Sequence, residues 1–104
     1  MKVYITRKNN SINAIGEYNI KTKELTVLKG SKISSSIANS EKFKGANTIE
    51  KNRNLYATNG IVKEDTTFKS ASTAANFVTG CSTNGLVAWK TEDGTSIKKY
   101  IEKK

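Results

Sequence analysis

The sequence predicts an α+β fold, one small domain spanning residues 1–104, with an N-terminal antiparallel hairpin or small sheet and about three short helices. Three patterns carry that expectation. Ile12, Ala14, Gly16, Tyr18 and Ile20 alternate with other residues, the period of two that keeps one face of a strand in a core. Residues 70–80 read as a helix with serines at its start and a glycine at its stop. Ile97, Tyr100 and Ile101 fall at i, i+3 and i+4, which gathers them on one side of a short amphipathic helix.

Taken in chain order, Val3, Tyr4 and Ile5 open with a short β-rich run that leads to the alternating strand. Lys21-Thr22-Lys23 is a polar connection of hairpin length, after which Leu25, Val27 and Leu28 supply a second strand ending at Gly30. Residues 31–45 hold five serines and scattered apolar side chains, so a loop is expected there. From Asn47, the residues Ile49, Leu55 and Tyr56 fit one helical face, with Gly60 as its stop, and Ile61 and Val62 return to the core.

Thr66-Thr67-Phe68 favours a short strand leading into the serine-capped helix, whose buried side is Ala74, Ala75, Phe77 and Val78. Asn84-Gly85 reads as a tight turn that needs φ above zero, Val87 to Thr91 as a further strand, and Glu92-Asp93-Gly94 as its turn. Lysines 98, 99, 103 and 104 suit the negative end of the last helix.

The chemistry is sparse. With no histidine in the chain, neither a Ser-His-Asp nor a Cys-His pair can be built. Glu64-Asp65 and Glu92-Asp93 are adjacent pairs in turn-like segments, where neighbouring side chains point apart, so they read as solvated turn residues. The single Cys81 allows no intrachain disulfide and, without histidine, no usual zinc site, and it reads as an inert small residue. No catalytic role, cofactor or metal is expected. Residues 1–30 show no basic region followed by an apolar run, and no stretch approaches the roughly 18 apolar residues that span a bilayer, so a cytoplasmic protein without membrane partners is expected.

Eighteen lysines and arginines against nine acidic residues leave a net charge of +9, and all but Arg7 and Arg53 are lysines. An anionic partner follows from that excess. Lysine offers position-tolerant point charges rather than bidentate base reading, so phosphate-directed affinity for nucleic acid is the leading expectation. The candidate contacts are Lys69, Ser70, Ser72, Asn84, Trp89 and Lys90. Ser70 and Ser72 are N-cap types, and the same unpaired N–H groups that they cap could hold a phosphate beside Lys69. Trp89 reads first as a core or edge anchor; exposed, it would stack on a base with Lys90 on the backbone. The alternative is a protein-interaction module with an apolar patch around Leu86 and Trp89.

The run from Phe68 to Gly94 holds Phe68, Ser70, Ser72, Ala74, Ala75, Val78, Gly80, Ser82, Asn84, Gly85, Trp89, Lys90, Asp93 and Gly94 at spacings that resemble the domain of unknown function 4357 family. Val27 to Ser31 and Leu55 to Ile61 extend the resemblance to nearly the whole chain. The resemblance implies an accessory, non-catalytic role near DNA, because that domain is often attached to GIY-YIG-type nucleases or to restriction-modification proteins and is similar to one associated with adenine methylases. A nuclease or methyltransferase is the implied protein partner. Two positions depart from the pattern. Ala71 stands where proline is usual between the serines, loosening the start of the helix, and Leu86 stands where an aromatic is common, removing a stacking side chain.

Overall fold

The computed structural model describes residues 1–7, 11–34, 55–80 and 83–102. The alternation near the N-terminus produces strands β1 (Lys2–Thr6), β2 (Asn13–Tyr18) and β3 (Leu25–Val27), joined by β6 (Thr66–Phe68) in a four-stranded antiparallel sheet of order β1-β2-β3-β6. Val3, Gly16, Val27 and Thr66 lie opposite one another across all four strands, and every one of them is buried. Ile5 with Ala14, and Tyr18 with Leu25 and Phe68, fill the rows on either side of it. The period of two therefore gives the sheet one dry face.

That face is covered by α1 (Ala71–Thr79), which buries Ala71, Ala74, Ala75, Phe77 and Val78. Alanines let its backbone approach the sheet, while Phe77 packs on Phe68 with ring centroids 5.0 Å apart. Ser70 caps the helix by accepting from Thr73 N at 3.1 Å, and Gly80 ends it with φ of 77°, a left-handed conformation cheap only for glycine. Ala71 is the first helical residue, so the helix starts directly after the capping serine with alanine in its first position. Ser34 completes the other end: its N–H donates to Val78 O and its hydroxyl to Thr79 O, both at 2.8 Å. Ser31 is buried as well, its hydroxyl accepting from Ile15 N at 3.0 Å and donating to Ile15 O at 3.2 Å. The described start of the expected loop is thus fixed by serine hydrogen bonds; residues 35–45 lie outside the described residues.

Two expectations are corrected between Leu55 and Val62. Leu55 and Tyr56 are helical, residues 47–54 of the expected helix lying outside the described residues, but Ala57–Thr58 (β4) and Ile61–Val62 (β5) form a hairpin. Gly60 is therefore not a helix stop. Asn59 (φ 53°) and Gly60 (φ 79°) are the two central residues of the turn, both with the positive φ that a two-residue hairpin demands. Lys32 forms bridges to Asn13 and to Ile61, tying this hairpin to the main sheet.

Two more corrections fall in the last third. Asn84 (φ −77°) is the N-cap of a short helix, α2 (Gly85–Ala88), so Asn84-Gly85 is no positive-φ turn and Val87 and Ala88 are not in a strand. Lys90 alone takes up strand pairing, donating to and accepting from Tyr4 at 3.0 and 2.7 Å along the outer edge of β1. The turn at Glu92-Asp93-Gly94 forms as expected, with Asp93 accepting from Thr95 N, and α3 (Ile97–Glu102) buries Ile97. Tyr100 is half-buried and Ile101 exposed, so the last helix inserts one anchor rather than three.

Candidate functional site

The structure separates the six candidate residues into a helix junction and two surface lysines. Ser70, Ser72, Asn84 and Trp89 belong to the junction where α1 meets α2. Ser72 Oγ accepts from Gly85 N at 3.0 Å, and Asn84 Oδ1 accepts from Leu86 N at 3.1 Å. Gly85 lies directly on the Ala71–Ser72 peptide: a Cβ there would stand 2.1 Å from the Ala71 carbonyl carbon and 2.3 Å from Ser72 N. That contact, not a turn conformation, is why residue 85 is glycine.

The same contact closes the start of α1 to an anion. Thr73 N is capped by Ser70 Oγ, Ala74 N donates to Ser70 O, and Gly85 covers Ser72 N. The serines serve the chain itself, and the phosphate-at-helix-start expectation for Ser70 and Ser72 is withdrawn.

Trp89 is withdrawn too. It is 0% exposed, its indole N–H donates to Ala71 O at 3.0 Å, and its ring lies against Gly16 of β2 on the dry face of the sheet. A base cannot stack on it, nor can a partner dock on it. The core reading of Trp89 is the one the structure takes, and the apolar patch expected around Leu86 loses its larger member.

Lys69 and Lys90 remain exposed, as does every other described lysine and arginine. None of them lies within 4.0 Å of a described carboxylate oxygen. Their charge is consequently open to solvent and to a polyanion.

Three clefts on the surface differ in charge. One is lined by Glu17 and Glu24 against Lys21, another by Glu64 and Asp65 against Lys63. The third, of about 360 Å³, is lined by Arg7 and Lys90 against Glu92, with Tyr4, Thr6 and Thr91 completing its wall. It is the one whose balance is basic. Sequence reasoning found Lys90 but missed Tyr4 and Arg7, because the pairing of Lys90 with β1 joins residues 86 positions apart.

The cleft opens onto the sheet face away from α1, which strand register defines row by row. Lys90, Tyr4 and Ile15 share one row, and Thr6 with Asn13 and Lys32 share the next. Tyr4 and Ile15 are half-buried and the lysines exposed. In the row on the other side, Lys2 stands opposite Glu17, followed by Thr26 and Thr67, whose hydroxyls meet at 2.7 Å.

Among the described residues no group of three or more metal-ligating side chains forms, and no helix is long and apolar enough to cross a membrane. Asp65 accepts from Lys29 N at 2.8 Å, and Asp93 accepts within its own turn, so a structural task accounts for one carboxylate of each adjacent pair.

What fold and surface define is a small α+β domain with one helix-covered sheet face and, among the described residues, an opposite face bordered by cations. The family model described as a domain of unknown function (DUF4357) matches residues 5–101, and the chain belongs to that family. No curated protein and no solved structure matches it.

Proposed function

We propose that this domain is a non-catalytic accessory module that binds nucleic acid through phosphates, in the setting of a nuclease or restriction-modification system. The observation that carries the reading is the charge: +9 on 104 residues, with every described lysine and arginine exposed and unpaired with carboxylates. A polyanion gains from such a surface by releasing its condensed counterions, and lysines deliver that gain without requiring a fixed base sequence. The contacts fall on Lys90 and Arg7 at the basic cleft, with Lys69 as a separate cation beside α1.

Titration of labelled duplex and single strands at rising salt tests this directly. Log affinity should fall linearly with log salt, by roughly 0.9 per phosphate contact on duplex and 0.7 on single strands. Affinity absent at low salt for both, or indifferent to salt, would overturn the reading. Salt-tolerant binding to a nuclease or methyltransferase would replace it with the docking alternative, which burial of Trp89 leaves without an anchor.

A further inference from the structure

We infer that the open face of the sheet, centred on Tyr4, is a stacking platform for single-stranded nucleic acid, with Lys90 and Arg7 on one side of the ring and Lys32 on the other holding the phosphates. The inference rests on the nucleic-acid reading above and names its site and strandedness. Proteins that hold single strands combine an accessible aromatic ring, on which any base can stack, with cations that track the backbone. Tyr4 meets the first condition. It lies mid-strand in β1, on the face away from α1, half-buried beside Ile15 and lining the basic cleft with Lys90 and Arg7.

Its position is fixed by two backbone hydrogen bonds to Lys90 and by the five-residue register with β2, so the ring stands on a rigid element rather than a loop. Lys90 is directly opposite Tyr4 and Lys32 opposite Asn13, which puts both cations on the same face as the ring. Charge decides the occupant. Glu17, two residues along β2 from Ile15, is opposed by Lys2, and Glu92 at the cleft is outweighed by Arg7 and Lys90. An acidic, planar-based polymer fits this arrangement, whereas a second copy of this basic face would be repelled.

A duplex hides its base faces in its own stack, so the platform favours a single strand. The test is fluorescence-anisotropy titration of an oligothymidylate of about twelve nucleotides and its duplex at about 50 mM salt. The expected result is tighter binding of the single strand, loss of about tenfold in Tyr4→Leu, and retention within about twofold in Tyr4→Phe, which keeps the ring. Should Tyr4→Leu not fold, photocrosslinking of a 5-bromouracil oligonucleotide to the unmodified protein reads the same question. The crosslinked peptide must then contain Tyr4.

Equal single-strand affinity in folded Tyr4→Leu, a stronger preference for duplex, or a crosslink confined to other segments overturns the platform while leaving phosphate binding standing. Absence of binding to both probes overturns both readings.

Discussion

The junction between α1 and α2 and the sheet face away from α1 use their side chains in opposite ways. At the junction, the Ser72 hydroxyl oxygen, the Asn84 Oδ1 and the Trp89 indole N–H each meet a backbone partner within about 3 Å, and Gly85 packs on backbone. On the face away from α1, Tyr4, Lys32 and Lys90 are held by backbone pairing, with Tyr4 half-buried and both lysine side chains exposed to solvent. The junction carries the most distinctive local spacing in the sequence, yet its distinctiveness records packing constraints. A close helix–helix approach tolerates only one residue type at several positions, whereas a solvated binding face tolerates many.

Substitutions can break this contrast, and the largest effect is expected at Gly85. Gly85→Ala forces a Cβ to 2.1 Å from the Ala71 carbonyl carbon, a contact with backbone that no rotamer relieves. Urea denaturation should show a loss of about 3 kcal/mol or more. A loss under about 1 kcal/mol would mean that the two helices can part without cost, and the junction would no longer explain the glycine.

Next comes Trp89→Phe, which removes buried volume and leaves the Ala71 carbonyl without its indole donor. About 2 kcal/mol should be lost, in a variant that still binds nucleic acid once folded, because residue 89 offers no surface. Selective loss of binding in a stable Trp89→Phe would return the tryptophan to the functional face.

Ser70→Ala deletes the cap on Thr73 N and should cost about 1 kcal/mol. Its binding should also be unchanged, which separates a cap from an anion ligand.

The smallest change in stability is expected at Lys90→Gln, within about 0.5 kcal/mol, since the substitution keeps the backbone bonds to Tyr4. Binding is where it should register, by weaker affinity and a salt slope shallower by roughly 0.7 to 0.9 as one phosphate contact is lost. A destabilised Lys90→Gln with unaltered binding would reverse the assignment of the two regions.

The two Asn-Gly dipeptides show how far local pattern reaches. Asn59-Gly60 is the hairpin turn, both residues at positive φ, although the apolar spacing upstream suggests a helix running to Gly60. Asn84-Gly85 instead caps and starts a helix, with Asn84 at φ −77°. The dipeptide alone cannot distinguish these fates, since asparagine is both a good cap and a tolerant turn residue. Short β residues on both sides decide the first, and the Ala71–Ser72 peptide pressed against Gly85 decides the second.

The candidate site divides along the same line. Lys69 and Lys90 were legible because lysine is seldom buried, while Tyr4 and Arg7 were not, because they become neighbours of Lys90 only through pairing between the ends of the chain.

Sequence by itself determined the α+β class, the buried face of β2, the serine-to-glycine limits of α1 and the strong positive charge. Each of these is written in periodicity, capping or composition, which act over a few residues or need no structure at all. Tertiary structure alone decided between the core and the exposed reading of Trp89, that Gly85 is a contact glycine, and that Tyr4 faces away from α1 between lysines. Those outcomes depend on which distant segments meet, and contacts across long stretches of chain are fixed by the shared core rather than by any local preference.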